Sequence, residues 1–238
     1  MLRLLSLRGF DAVRELRGMF AIALWDPRRC ELLLARDALG IKPLYFARNP
    51  DPAGEWSFAF ASEVRALLRS GLLHKPRLRS SAVASVVWNG FTVAPETIIE
   101  GIESLLPGEM RVYAQDGGER QRKRYWTQAE LPRSGSATDE DVSLALENSV
   151  RRHLASDVPL GVFLSGGVDS SAVTNVAKRV SRDPVHSFTL AFTEQERNEG
   201  DIARAVSKAI GTQHHEIVLR QEDFLDRLDE AVGSLDQP

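Results

Sequence analysis

The spacing of apolar residues along the chain changes character once, near residues 127–137. Before that point, short apolar runs alternate with polar, turn-forming clusters. Phe20-Ala-Ile-Ala-Leu-Trp25 leads through Asp26-Pro-Arg-Arg29 into Glu31-Leu-Leu-Leu-Ala35, which predicts a hairpin. Leu44–Ala47 and Trp56–Phe60 flank the turn-rich Asn49-Pro-Asp-Pro-Ala-Gly54 and predict a second. Met110–Ala114 and Arg120–Trp126, around Asp116-Gly-Gly118, predict a third. Short helices fit Glu63–Ser70, stopped by Gly71, and Ser80–Trp88, stopped by Asn89-Gly90. The opening MLRLLSLRGF also reads as helix, because Arg3 and Arg8 interrupt any signal-peptide pattern. This half has the α+β texture of antiparallel sheet with helices.

The stretch 127–137 is polar, with Pro, Ser and Gly, and reads as a linker. Beyond it the rhythm is helical and strand-like by turns. Thr138-Asp-Glu-Asp141 resembles a helix N-cap with an acidic first turn. Val142, Leu146, Val150 and Leu154 then recur every four residues, as one face of a helix. Val158–Leu164 is an apolar run of buried-strand type. Helix spacing returns over Ser171–Val180, strand character over Val185–Phe192, and helix again at Ile202, Val206, Ala209 and Ile210, closed by Gly211. His215–Leu219 predicts a strand, and Phe224, Leu225, Leu228 and Val232 a last helix. The alternation α-β-α-β-α-β-α predicts a parallel sheet covered by helices, an α/β architecture.

Length and composition narrow the picture without deciding it. The 238 residues suit one large domain or two small ones. No apolar run approaches the roughly 20 residues that span a bilayer. The net charge of −3 offers no global argument for nucleic acid. The basic run Arg120-Gln-Arg-Lys-Arg124 reads as a solvated strand face. Cys30 is the single cysteine, which excludes an intrachain disulfide framework and fits a reducing compartment; a cytoplasmic location is the expectation.

The densest chemistry lies in Ser165-Gly-Gly-Val-Asp-Ser-Ser171, directly after Pro159-Leu-Gly-Val-Phe-Leu164. In an open parallel sheet, ligands bind beyond the carboxyl ends of strands. There, successive N–H groups and a helix N-terminus can hold an anion. Gly166 and Gly167 allow positive φ and close approach of a phosphate. Ser165, Ser170 and Ser171 offer hydroxyls. Asp169 would repel a phosphate unless it holds Mg²⁺, which takes carboxylate and phosphate oxygens together. The pattern is neither a Walker loop nor GxGxxG. The adjacent His214 and His215 face opposite sides of a strand, which speaks against joint metal ligation.

SGGVDSS resembles the signature loop of ATP pyrophosphatases. Arg17–Ala47 (RGMFAIALWDPRRCELLLARDALGIKPLYFA) and Phe60–Leu68 (FASEVRALL) resemble the glutaminase domain of glutamine-hydrolysing asparagine synthetases. Ile102–Val112 is similar to the closing segment of that domain. Val150–Ser171 (VRRHLASDVPLGVFLSGGVDSS), HSFTLAF and ARAVSKAIGTQHHEIVL resemble the start of its synthetase domain. The resemblance implies a partial N-terminal-nucleophile-hydrolase-like sandwich over residues 1–126. A linker over 127–137 and a partial Rossmann-like parallel sheet over 138–238 would follow. It implies a ligase that hydrolyses glutamine to glutamate and ammonia and activates aspartate with ATP as β-aspartyl-AMP. Ammonia then displaces AMP to give asparagine. ATP and Mg²⁺ are the implied cofactors. The implied partners are the small molecules ATP, aspartate and glutamine, with no nucleic acid and no membrane, and a homodimer is compatible with them.

By position, the resemblance assigns Ser165, Gly166, Gly167, Asp169, Ser170 and Ser171 to the pyrophosphate loop, with Asp169 as the Mg²⁺ carboxylate. It assigns the backbones of Leu164 and Leu190 to the adenosine, and Glu15 to the α-amino group of glutamine. Glu199 matches an acidic position whose role stays open. The family nucleophile, a cysteine at the mature N-terminus, has no counterpart, since Leu2 follows Met1. Cys30 in a hairpin turn, with no free amine, does not replace it. On this reading the chain is an internal piece of a longer enzyme, without glutaminase activity and prone to self-association. Three alternatives stay open: a related adenylating ligase such as a β-lactam synthetase or peptide cyclase, a non-catalytic nucleotide-binding remnant, and a nucleic-acid module built on Arg120–Arg124.

Overall fold

The computed structural model describes residues 1–51, 53–130, 135, 137–193 and 199–236. Its contacts form two compact units, Met1–Pro132 with Gly233–Pro238, and Arg133–Val232. Part of the predicted linker, residues 131–134 and 136, lies outside the described residues, as do Asn198 and the side chain of Phe224.

The first unit begins with α1 (Leu2–Arg8) and a 3₁₀ turn over Phe10–Glu15. Two strands follow, β1 (Ala21–Asp26) and β2 (Glu31–Arg36), then β3 (Tyr45–Arg48) and β4 (Phe58–Ala61). Next come α2 (Val64–Arg69), α3 (Ser80–Asn89), β5 (Ile102–Ser104), β6 (Glu109–Ala114) and β7 (Glu119–Arg124). All three predicted hairpins form. β1-β2-β6-β7 make a four-stranded antiparallel sheet, and β4-β3-β5 a three-stranded one. The strand β5 has no counterpart among the predicted elements; with three residues it is too short to show a period. The basic run lies on β7, exposed at the edge of the sheet, as a solvated face should.

The continuous apolar run in β2 has a structural cause. Leu33 and Ala35 point to one side, where they meet Val13, Ile22, Met110 and Val112. Leu34 points to the other, against Leu44, Phe46, Leu105 and Tyr113. A strand buried on both faces cannot alternate with polar residues. Each such leucine contributes roughly 1.5–3 kcal/mol by burial. The loop after β2 is anchored by buried Asp37, whose carboxylate accepts N–H groups from Phe20, Leu39, Ile41 and Lys42 at 2.9–3.3 Å. Burial alone would raise its pKa, but these four backbone donors outweigh burial and hold it below the usual carboxylate value.

The end of the described chain belongs to this unit as well. Asp236 accepts from the amides of Val64 and Arg65 at 2.7 and 2.9 Å, and so caps α2. Arg65 in turn donates to the carbonyls of Gly233 and Ser234. Residues distant in sequence thus complete a helix that has no local side-chain cap.

The second unit holds α4 (Asp139–His153), β8 (Gly161–Phe163), α5 (Val168–Val180), β9 (His186–Phe192), α6 (Gly200–Ile210), β10 (Gln213–Leu219), α7 (Gln221–Asp226) and the start of α8 (Leu228–Ser234). Thr138 caps α4 through a reciprocal bond with Asp141, as its sequence predicts. The three strands are parallel in the order β10-β9-β8. Their core gathers Val150, Val176, Ala177 and Val185, with Leu146, Leu154 and Val162 partly buried around them.

Four expectations need correction here. Val142 is exposed and does not join the buried face of α4, because the face turns away from the core by the first helical turn. The run Val158–Leu164 is not a buried strand: only Gly161–Phe163 is extended, and Val158 and Phe163 are exposed. Helices cover one side of this sheet, so Phe163, Leu190 and Ile217 lie on a side without cover among the described residues. Helix α5 starts at Val168 rather than Ser171, inside the SGGVDSS stretch. The single last helix is two, α7 and α8, separated at Arg227.

Candidate anion site at the end of the first parallel strand

SGGVDSS occupies the turn from β8 into α5. Strand β8 ends at Phe163, and Leu164 continues into the core, with its amide donating to the Phe188 carbonyl at 2.9 Å. Gly166 then takes φ +77°. A Cβ there would stand 2.8 Å from Ile202 Cγ2 and 3.1 Å from the Ala203 amide nitrogen, so glycine is required twice over, by backbone and by space. Gly167 differs. It is the N-cap of α5 with φ −71°, and a Cβ would meet only the Ser165 hydroxyl at 3.4 Å. The expected use of positive φ at both glycines therefore holds for Gly166 alone.

The loop is closed from within by hydroxyls. Ser170 Oγ lies 3.0 Å from Ser165 Oγ, accepts from the Ser165 amide at 3.3 Å and donates to the Gly167 carbonyl at 3.1 Å. Ser171 Oγ donates to the same carbonyl at 2.7 Å, and Thr174 Oγ1 to the Ser170 carbonyl at 2.7 Å. Helix α5 has no side-chain cap, so the amides of its first turn remain available to a ligand. An uncapped helix N-terminus behind a glycine turn favours an anion. Asp169 stands exposed in that first turn. Among the described residues no three His, Cys, Asp or Glu side chains gather to hold a metal. A single exposed carboxylate at an uncapped helix N-terminus is a donor of the kind Mg²⁺ combines with phosphate and water oxygens.

The other predicted residues are placed as follows. Leu164 is buried, with its amide and its carbonyl both hydrogen-bonded. Leu190 is in the middle of β9, half exposed on the uncovered side of the sheet. Glu199 is the residue before α6, and its carbonyl accepts from the Ala203 amide. Glu15 belongs to the first unit, at the end of the 3₁₀ turn, where its carboxylate is paired with Arg8 at 2.6 Å. Cys30 is exposed in the β1–β2 turn at φ 53°. The two histidines separate as expected: His214 Nδ1 meets Ser187 Oγ at 2.9 Å, while His215 Nε2 lies 2.9 Å from His186 Nδ1.

Ile202, which closes over Gly166, and Thr189, which holds the Leu164 carbonyl, were not among the predicted site residues. A signal for Thr189 exists in the sequence. On the buried side of HSFTLAF the alternation places Ser187, Thr189 and Ala191, two hydroxyls where aliphatic side chains are usual.

Two family models divide the chain where its texture changes. Residues 1–126 match the glutamine amidotransferase domain, and residues 141–238 match asparagine synthase. The chain belongs to the glutamine-hydrolysing asparagine synthetase family. Among its relatives is asparagine synthetase (glutamine-hydrolyzing) 3 of Bacillus subtilis (strain 168), 32% identical over 245 residues, covering 96% of this chain and 39% of the relative. Putative asparagine synthetase (glutamine-hydrolyzing) 2 of Methanocaldococcus jannaschii is 30% identical, covering all of this chain and 46% of the relative. The chain thus spans less than half the length of these synthetases. Among solved structures, NMN synthetase from Francisella tularensis aligns over 42% of this chain, at 16% identity and a TM-score of 0.33. A score that low supports no argument about fold or function.

Proposed function

We propose that this chain carries part of a glutamine-dependent asparagine synthetase, and that its second unit binds the phosphates of ATP. The observation that carries the reading is the SGGVDSS turn, with Gly166 seated against α6 and its carbonyls tied down by hydroxyls. The family membership supports it.

In the proposed reaction a carboxylate oxygen of aspartate attacks the α-phosphorus of ATP. The bond to the bridging oxygen breaks, and pyrophosphate leaves. Ammonia then attacks the acyl carbon and expels AMP. The negative charge of the leaving pyrophosphate would grow beside the first amides of α5, so these donors favour the transition state. Asp169 would hold Mg²⁺, which neutralises phosphate charge when bound. Ser170 has a different part from the one its motif suggests. Its hydroxyl is engaged within the loop, so it shapes the cradle before it contacts any phosphate. In the first unit, an antiparallel two-sheet arrangement supports a sandwich of the N-terminal-nucleophile type. Glu15 is proposed for the glutamine amino group, in exchange for Arg8. Cys30 sits in a turn with an acylated nitrogen and is not proposed as the glutaminase nucleophile.

Titration of the chain with inorganic pyrophosphate and with ATP, in the presence and absence of Mg²⁺, tests the reading. Binding is expected, stronger with Mg²⁺, and weakened at least tenfold by Gly166→Val while Gly167→Ala stays within about twofold. The dependence on Mg²⁺ is expected to disappear in Asp169→Asn. Pyrophosphate affinity indifferent to Gly166→Val and to Ser165→Ala would remove the site.

A further inference from the structure

Strand β9 turns Ser187, Thr189 and Ala191 toward the helix-covered side, and all three are buried. Burying a hydroxyl is unfavourable unless it is bonded, and valine would pack at position 189 with the same shape. Thr189 Oγ1 donates to the carbonyl of Leu164, one residue past the end of β8. A trans peptide points its carbonyl and its N–H in opposite directions. Pinning the Leu164 carbonyl into the core therefore turns the Ser165 N–H the opposite way, onto Ser170 Oγ at 3.3 Å. Ser170 passes the constraint on, by donating to the Gly167 carbonyl. The same carbonyl accepts from the amide and the hydroxyl of Ser171, and the trans peptide sets the Val168 N–H opposite to it, at the start of α5. The chain of bonds thus runs from a buried side chain on the central strand to the amides proposed to receive pyrophosphate.

We propose that Thr189 is a positioning residue for this loop: its buried hydroxyl fixes the first peptide plane of SGGVDSS and so sets where the anion-binding amides point. The inference rests on the reading of the loop as a pyrophosphate cradle. It requires no contact between Thr189 and the ligand.

The test uses the full chain and calorimetric titration with inorganic pyrophosphate and with inorganic phosphate. Thr189→Val keeps the shape and deletes the bond, Thr189→Ser keeps the bond, and Ser187→Ala removes a buried hydroxyl two residues away on the same side. Thr189→Val is expected to weaken pyrophosphate at least fivefold and to lower the ratio of pyrophosphate to phosphate affinity. Thr189→Ser and Ser187→Ala should stay within twofold of the parent. A merely structural role would let Ser187→Ala weaken binding as much as Thr189→Val at equal loss of thermal stability, and that result overturns the proposal. So does wild-type affinity in Thr189→Val; Thr189→Ala gives the same reading if the valine variant does not fold. A parent chain that binds no pyrophosphate would overturn the functional reading of the loop itself, and this inference with it.

Discussion

The two units solve the same problem, covering a sheet, to different degrees. In the first, β2 is buried on both faces and its loops are tied by charged side chains such as Asp37. In the second, α5 and α6 cover one face of the parallel sheet, and the other presents Phe163, Leu190 and Ile217 to solvent. The difference teaches where stability and chemistry are held. The antiparallel unit has its free energy in apolar contact. The parallel unit has its proposed anion site at a strand end, where a helix terminus and a glycine turn meet and where hydrogen bonds, more than burial, set the geometry.

The largest expected effect is a direct test of that contrast. Leu33→Ala, in the doubly covered strand, should cost about 3 kcal/mol, because the deleted methyls leave a cavity in a packed core. Ile217→Ala, on the bare side of the parallel sheet, should cost less than about 1 kcal/mol, since little burial is lost. Urea unfolding followed by circular dichroism reads both, and equal costs would break the comparison. Tryptophan fluorescence isolates the first case, because Trp25, Trp56, Trp88 and Trp126 all lie in the first unit.

A smaller effect is expected at the chain end. Asp236→Ala removes a charged acceptor from two helix amides, and a lost cap of this kind costs about 1–2 kcal/mol. Amide exchange at Val64 and Arg65 should quicken by tenfold or more, while exchange in β2 and α5 keeps its rate. Unaltered exchange at α2 would detach residues 233–236 from the first unit and sharpen the boundary between the two.

The smallest effect is in the pH dependence. Asp37 has a depressed pKa in the folded protein. Its contribution is therefore complete above the unfolded value of about 4 and is lost as the pH falls through the lower folded value. Glu216 in the second unit is also depressed, first by its hydrogen bond from Arg204, but that pair is solvated and screened and adds little. Asp37→Asn should flatten the loss of thermal stability between pH 5 and 3, and Glu216→Gln should leave it almost unchanged. The reverse order would place the acid-labile contact in the wrong unit.

Most elements were legible because their signals are local. The three hairpins, the Thr138 cap and the glycine stops after α3 and α6 each depend on a few neighbouring residues, and each forms where its residues predict. The misses share a cause. Val158–Leu164 looks like a buried strand because apolar composition carries no information about which side a helix will cover. The early start of α5 escaped because Val168, Asp169 and Ser170 are weak helix formers that gain their place from the N-terminal turn. The division of the last helix at Arg227 has no strong local breaker.

At the candidate site, sequence alone determined that a glycine-hydroxyl turn with one carboxylate would stand between a strand and a helix, because composition and order suffice for that. Only the tertiary structure decided which glycine is indispensable, since the answer lies in Ile202 and Ala203, far along the chain. It also decided that Ser170 faces inward, that Thr189 grips the loop from beneath, and that Asp236 completes α2. Apart from the bonds of Ser170, which stay within the loop, these are contacts between residues remote in sequence. No local pattern encodes them, because they depend on how elements pack and not on how each one forms.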